Sequence, residues 1–315
     1  MIVLGDLMLD YYTYGKVERI NPEAPVPILR TVKEKYTLGG AGNVAKNIAK
    51  LNENVLLMGI IGNDNRGEQL KKLCNENNIK YQFITDGRPT IVKHRFVALG
   101  YNQQLLRVDY EETDDISSKE ENNIINFIDK LNNTNIGDNT NNTSNNIMII
   151  SDYNKGLLTK NLINNIKKTF NGKILVDPKP ENIEYYKDVY LIKPNLKEAS
   201  QIYGKNIENN NKSVEKAGLE LVEKYNSNFV ITRSEKGATL ITTDKNVVHI
   251  PTSVKEIHDV SGAGDTFIAV IGYCLNNNYN LEDSVKLANK ASSIVVGKVG
   301  TAAITYEELF KGQYE

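Results

Sequence analysis

The chain has 315 residues, enough for one large α/β domain or two small ones. Hydrophobic residues make up 40% and charged residues 24%, the balance of an ordinary globular chain, and a formal net charge of −1 excludes a general attraction to nucleic acid or an anionic membrane. Two cysteines, Cys74 and Cys274, form neither a disulfide framework nor a metal spacing, so both are expected to pack in a core in a reducing compartment.

The N-terminal stretch "MIVLGDLMLDYY" has no basic region and is interrupted by Asp6 and Asp10, so it does not read as a signal peptide. The longest apolar run is about half of what a bilayer span needs, and a cytoplasmic protein is expected. Apolar strand-like runs follow along the chain: "IVLG", "VLLMGIIG", "IMIISD", "KILVDP", "VYLIKPN" and "NFVITRS". Between most of them lie helical patterns. "AGNVAKNIAKL" aligns Val44, Ile48 and Leu51 on one face, and "KEENNIINFIDKL" aligns Ile124, Phe127, Ile128 and Leu131. "TKNLINNIKKTF" and "SVEKAGLELVEKY" repeat the pattern. Such alternation predicts a mainly parallel sheet covered on both faces. The Asn-rich segment 132–146 is read as a polar surface loop rather than a domain boundary, because the alternation continues on both sides of it.

Two regions break the alternation. "YYTYGKV" with "VPILRTVKEKY", and "TIVKHRFVAL" with "QQLLRVDY", are strand-like without helices between them. They predict a small antiparallel sheet inserted near the start of the α/β body. Ligands of open α/β sheets bind outside the carboxyl ends of the strands, so this sheet would act as a lid. Polar signals do fall at strand ends: Asp6, Asp152, Asp177, Asn195 and Arg233.

Near the C-terminus, "DVSGAGDTF" leads into the apolar run "TFIAVIGYCL". Gly262 and Gly264 sit where a loop becomes a helix, and Asp265 falls in the first turn. Unpaired amides at a helix N-terminus attract anions, and glycines let an anion come close. A carboxylate there could take a proton from a hydroxyl attacking a bound phosphate. The same residues could equally be an ordinary turn with a helix-start acid. "LGGAGNVAKNIAKL" (38–51) is a second glycine cluster before a helix. It matches neither a P-loop nor G-x-G-x-x-G, and Asn43 could cap that helix or hydrogen-bond a sugar hydroxyl. In "KPNLKEA" (193–199), Asn195 and Glu198 could hold Mg²⁺ through waters or form a helix capping box. The histidines His94, His249 and His258 are dispersed, with no legible partner for nucleophilic catalysis.

"LGGAGNVAKNIA" followed over two hundred residues later by "DVSGAGDT" resembles the two signatures of the ribokinase-like (PfkB) carbohydrate kinases. "GDLMLDYYTYGKVERINPEAPVPIL", "NQQLLRVDYEE", "SDYNKGLL", "VDPKP", "KPNLKEA", "TRSEKGATL" and "VVGKVGTAAIT" occur in that order. Together they are similar to the kinase domain of the bacterial heptose-phosphate kinase/ADP-heptose synthase family, over nearly the whole chain. "NPEAPVP" with "NQQLLRVD" separates this pattern from generic ribokinases. Three features depart from it. The chain begins almost directly on its first strand, "DPKP" replaces Asp-Pro-Lys-Gly, and the His-x-Gly-His motif of the bifunctional relatives' nucleotidyltransferase domain is absent. Adenylyl transfer is therefore expected to fall to a separate nucleotidyltransferase.

The resemblance implies a ribokinase-like three-layer α/β sandwich with a mainly parallel central sheet and a small β-sheet lid. One kinase domain would span 1–315, with lid strands from about 10–36 and 88–110. The implied activity is ATP- and Mg²⁺-dependent phosphorylation of a sugar phosphate, foremost D-glycero-D-manno-heptose 7-phosphate at O1 to give the 1,7-bisphosphate; the alternatives are another sugar substrate and a non-catalytic sensor. By the same resemblance Gly262, Ala263 and Gly264 form the anion hole and Asp265 is the base. Asp10, Gly39, Gly40 and Asn43 bind the sugar. Asn195 and Glu198 serve Mg²⁺ and the nucleotide phosphates, and Arg233, Gly237 and Asn289 lie on the nucleotide side. Asp259 and Ser261 match monovalent-cation positions, which would take K⁺. Lys93, Arg95, Arg107 and Lys155 are the candidates, by charge and place, for clamping the sugar's own phosphate. The lid's exposed strand edges, and the pairing of lids in related kinases, imply a homodimer.

Overall fold

The computed structural model describes residues 1–100, 103–133, 146–252, 261–298 and 302–312. Its body is a nine-stranded sheet. In spatial order, the strands are β13 (Val247–Ile250), β12 (Ala238–Ile241), β11 (Asn228–Thr232), β10 (Leu191–Ile192), β9 (Lys173–Asp177), β8 (Ile147–Ser151), β1 (Ile2–Gly5), β4 (Leu56–Ile60) and β5 (Lys80–Ile84). Pairing is parallel from β11 through β5, and β12 and β13 add an antiparallel edge. The parallel strands read as unbroken apolar runs because both faces are covered: Ile147, Met148, Ile149 and Ile150 are all buried.

One apolar cluster joins the sheet to α1 (Ala41–Lys50), α2 (Asn65–Glu76), α7 (Ala263–Asn276) and α8 (Leu281–Val296). A second, on the other face, joins it to α3 (Ser118–Asn133), α4 (Lys160–Thr169), α5 (Leu196–Tyr203) and α6 (Asn211–Tyr225). This is the expected three-layer sandwich. α7 packs between α1 and α8 and against β8 and β9, so every residue from Asp265 to Leu275 is buried. That position accounts for a helix apolar on all sides. Both cysteines lie in this core, and burial pushes each thiol up to about 12. Among the described residues no helix is long and apolar enough to cross a membrane.

The lid is a four-stranded sheet in the order β3 (Pro27–Gly40), β2 (Leu7–Ile20), β6 (Val92–Ala98) and β7 (Gln103–Tyr110). It is not the antiparallel sheet expected from the sequence. β2–β3 and β6–β7 are antiparallel hairpins, but β2 and β6 pair in parallel. Both leave the same edge of the body, β2 after β1 and β6 after β5, so they travel outward side by side. The first pair of lid strands reaches further than 10–36, since β2 begins at the buried Leu7 and β3 runs on to Gly40, whereas β6 and β7 fall within 88–110. Strand alternation splits the lid into two faces. Asp10, Tyr12, Lys93, Arg95, Arg107 and Asp109 share one face through the registers Asp10↔Lys93↔Asp109 and Tyr12↔Arg95↔Arg107. The other carries a ladder of rings, with Tyr36–Tyr11, Tyr11–His94 and His94–Phe96 centroids at 4.4, 3.8 and 4.1 Å.

Candidate active site

The strand order departs from chain order around β1, whose neighbours are β8 and β4, and crevices at such switch points are where α/β sheets place ligands. Over that edge Gly262 takes a left-handed conformation (φ 82°) and turns the chain into α7. Asp265 falls in the first turn with its carboxylate buried. One oxygen, Oδ2, accepts from Asn43 Nδ2 at 2.7 Å, and Oδ1 accepts from the Tyr153 hydroxyl at 2.9 Å. Burial raises the Asp265 carboxyl above the usual carboxylate range. The Asn43 and Tyr153 donors and Lys193 oppose that rise, while Asp10 adds to it. Asn43 is therefore not the cap of α1, where Gly40 holds the N-cap position without a side-chain bond. Its own Oδ1 is buried and has no partner among the described residues, which leaves an acceptor for a hydroxyl. One turn on, Asn47 Oδ1 accepts from Thr266 Oγ1 (2.9 Å) and the Ile304 amide (3.3 Å), stitching α1 to α7.

Beside Asp265 lies a cavity of about 250 Å³, built almost wholly from strand ends. β8 leads to Asp152 and Tyr153, β9 to Asp177 and Lys179, β10 to Lys193, Asn195 and Glu198, and β11 ends at Thr232; Gly262, Gly264 and Asp265 close the wall. Two ion pairs cross it, Lys193–Asp177 and Lys179–Glu198, each at 2.9 Å. Burial carries the Asp177 carboxyl up to about 6 against the pull of Lys193. Near Gly264 the space is open: an added Cβ would stand 3.5 Å from Lys193 Nζ and 3.9 Å from Asp177 Oδ2. A helix N-terminus and a lysine thus face one gap, an arrangement that suits a phosphoryl group.

Asn195 and Glu198 form the capping box that was the other reading of their spacing. Asn195 Oδ1 accepts from the Glu198 amide at 2.9 Å and Glu198 Oε2 from the Asn195 amide at 3.0 Å. Both residues still line the cavity. Among the described residues no group of three or more His, Cys, Asp or Glu side chains is placed to hold a metal ion alone. Four carboxylates line the cavity; Asp152 is engaged by Asn182 and Tyr186 and Asp265 by Asn43 and Tyr153, so Asp177 and Glu198 are the ones that fit an ion bringing phosphate and water ligands of its own.

On the lid side, Asp10 accepts from Arg95 at 2.6 Å. A Cβ at Gly39 would fall 2.5 Å from Asp10 Oδ2 and displace that carboxylate, and at Gly40, where φ is 56°, one would strike the Asp6 carbonyl at 2.4 Å. Of the four basic candidates, three already hold carboxylates: Arg95 with Asp10, Arg107 with Asp109 and Lys155 with Glu111. Lys93 has no ion-pair partner among the described residues. Burial lowers its ammonium, as do Arg107, Arg95 and Lys155 around it, while Asp10 opposes them. None of the four lines the 250 Å³ cavity.

Three residues expected on the nucleotide side do not face that cavity either. Arg233 is buried and turned inward, bonding Asn209, Asn211 and Thr239. Gly237 packs on the Ile250 carbonyl, and Asn289 donates to the Pro251 carbonyl. They brace the rim next to β11 and β13. Ser261 is exposed just before Gly262, and Asp259 lies outside the described residues. The residues that sequence reasoning passed over are Tyr153, Lys179 and Lys193, and Asp177 was marked only as a polar residue at a strand end. Their signal was the position of "SDYNKG", "VDPKP" and "KPN" at the ends of successive parallel strands.

Residues 1–308 match the family described as pfkB family carbohydrate kinase. The "Bifunctional protein HldE" of Nitratiruptor sp. is 37% identical over 310 residues, covering 98% of this chain and 64% of that protein. The protein of the same name from Haemophilus influenzae is 39% identical over 319 residues, covering 98% of this chain and 62% of that one. The chain thus spans rather less than two thirds of the length of these relatives. Among solved structures, phosphofructokinase-2 from Escherichia coli in complex with potassium superposes with a TM-score of 0.82 at 21% identity, covering 99% of this chain and 97% of that one.

Proposed function

The chain belongs to the pfkB family of carbohydrate kinases, whose members transfer a phosphoryl group to a sugar hydroxyl, and from that premise we propose that it uses ATP to phosphorylate D-glycero-D-manno-heptose 7-phosphate at O1. One observation carries the catalytic part of the reading: a buried carboxylate, Asp265, stands in the first turn of α7 with an open, lysine-lined cavity on one side and a cationic lid face on the other. The substrate part rests on "NPEAPVP" and "NQQLLRVD", and the two HldE relatives, which align over nearly the whole chain, support it.

In this reading ATP places its γ-phosphate over Gly262, Ala263 and Gly264, facing Lys193. Asn195 and Glu198 would hold, through waters, the Mg²⁺ that accompanies the nucleotide and screens its phosphates. The anomeric hydroxyl donates to Asp265, which takes the proton as the oxygen attacks the γ-phosphorus and the bond to the departing ADP breaks. An anomeric hydroxyl is more acidic than an ordinary alcohol, so a carboxylate suffices as base. Asp10, Gly39 and Asn43 shape the sugar's seat, and the unpartnered Asn43 Oδ1 supports a hydroxyl contact there. Asp259 and Ser261 remain the positions proposed for a monovalent cation. The product, an anomeric phosphate, is the class of compound a nucleotidyltransferase consumes. The test is a coupled ADP assay on heptose 7-phosphate beside ribose, fructose 6-phosphate and mannose 6-phosphate. A higher kcat/KM on any of the other three overturns the substrate assignment.

Lys93 is the lid cation free to take the sugar's phosphate. Lys93→Met keeps the length and apolar stem and should raise KM for the sugar phosphate about tenfold, the effect of losing one charge-assisted hydrogen bond. KM for ATP should stay within about twofold. An unchanged sugar-phosphate KM places the clamp elsewhere.

The lid also supports self-association. Of the eight exposed large hydrophobic side chains among the described residues, seven belong to the lid or its turns: Val17, Ile20, Val26, Val32, Leu99, Leu106 and Tyr110. Apolar side chains left exposed on an open sheet are normally covered. A homodimer joined through the lids is the expected result, and light scattering at assay concentration measures it; a monomer mass removes the idea.

A further inference from the structure

We propose that Tyr153 is a positioning residue for the catalytic base: its phenol fixes the orientation of the Asp265 carboxylate from a loop braced by both the body and the lid. This rests on the assignment of Asp265 as base. Tyr153 stands two residues beyond β8, and its hydroxyl donates to Asp265 Oδ1 at 2.9 Å while Asn43 Nδ2 donates to Oδ2 at 2.7 Å. With one donor on each oxygen, the carboxylate cannot rotate without loosening both bonds. The lone pairs left for an acceptor hydroxyl are then held at a set angle to the N-terminus of α7. Phosphoryl transfer depends on such alignment far more than on the strength of the base.

A phenol can hold a carboxylate only if its own backbone is held. Asp6, buried at the end of β1, accepts from the Tyr153 amide at 2.8 Å and from the Lys155 amide at 3.2 Å. Asp152 accepts from the Asn154 amide at 2.7 Å. The lid supplies the other brace. Lys155 Nζ pairs with Glu111, one residue past β7, at 2.8 Å. Arg88, ahead of β6, donates to the Lys155 carbonyl at 3.2 Å and to the Asp114 carbonyl at 2.9 Å. The Ile116 amide donates to the Gly156 carbonyl at 2.9 Å. The chain therefore bonds this loop where it enters β6 and again where it returns from β7. Lys93 from the lid and Lys179 from the end of β9 stand 5.2 and 5.5 Å from the centre of the Tyr153 ring.

Tyr153→Phe keeps the ring, both cations and the packing, and removes the hydroxyl alone. The charged and titratable groups around Asp265 among the described residues include Lys193, Asp177, Asp10 and Tyr153, with Asp152, Lys179 and Glu198 on the wall of the same cavity, and in this variant only Tyr153 changes. A donor to a carboxylate favours its charged form, so losing the phenol raises the Asp265 pKa. With ATP, Mg²⁺ and the sugar phosphate preferred in the substrate panel, kcat should fall about tenfold. The acidic limb of the kcat profile should move up by about one pH unit. KM for ATP should stay within about twofold. If kcat falls while the acidic limb stays in place, the phenol is merely structural and the inference is overturned. It is overturned too if kcat and the limb both stay at wild-type values while Asp265→Asn is inactive, and the base assignment then stands. If Asp265→Asn remains active, the base assignment falls and this inference with it.

Discussion

Asp265→Asn should lower kcat by about 10²–10⁴, the usual range for removing a general base, and leave ATP binding unchanged. The substitution is nearly isosteric, so the buried seat in the first turn of α7 is not emptied. An amide at this position still accepts from Tyr153 through its oxygen. Its NH₂ would then meet Asn43 Nδ2, donor against donor. Asn43 can resolve this by turning its side-chain amide over, since its Oδ1 has no partner among the described residues to lose. The fold therefore tolerates the change, and what disappears is the ability to accept a proton. In the parent protein burial raises the Asp265 carboxyl, so activity that needs the carboxylate is present above that raised pKa and lost as pH falls through it. The variant should show neither the activity nor that limb. Coupled ADP release gives kcat, and titration calorimetry with ATP gives the binding. A variant that keeps more than half the parental kcat would show that another group takes the proton.

The layers of the fold were legible because burial on both faces leaves a local mark. Runs such as "IMII" in β8 and "ILV" in β9 are apolar throughout, and the helices between them keep a stripe. β5 ("KYQFI") and β12 ("ATLI") lie at or near the sheet's margins, are short and mix polar with apolar residues, so they carry no such mark. The parallel pairing of β2 with β6 joins residues about eighty positions apart, and no local pattern encodes it. At the site, glycines before an apolar helix pointed to α7 and to Asp265. The partners of Asp265 did not announce themselves, because Asn43 and Tyr153 meet it only through the packing of α1 and the end of β8 against α7. Arg233 shows the converse. A strand-end position marks where a backbone finishes, yet its guanidinium turns inward to Asn209, Asn211 and Thr239. For Asn195 and Glu198 the spacing allowed a cap or an ion site, and the cap is formed with both side chains still on the cavity wall.

Gly264→Ala is expected to separate stability from catalysis more sharply than any other single change. Gly264 lies in the first turn of α7, where alanine is the better helix former by up to about 1 kcal/mol. Its φ is not in the left-handed range, and an added Cβ meets only Lys193 Nζ at 3.5 Å and Asp177 Oδ2 at 3.9 Å, ordinary contact distances. Thermal unfolding should therefore occur at the parental temperature or slightly above it. The room that makes the methyl harmless to the fold is the room proposed for the transferring phosphoryl group, between the amides of α7 and the Lys193 ammonium. A methyl there pushes the phosphoryl oxygens away from their donors. Removing one such donor in other enzymes lowers kcat by about 10²–10³, and a comparable loss is expected here. ATP affinity should weaken as well, which Asp265→Asn should not cause, so the two variants distinguish the seat of the phosphoryl group from the base beside it. KM for the sugar phosphate should change little, because the lid face that carries Lys93 is untouched. A Gly264→Ala protein with more than half the parental kcat would mean that the phosphoryl group does not pass over this turn.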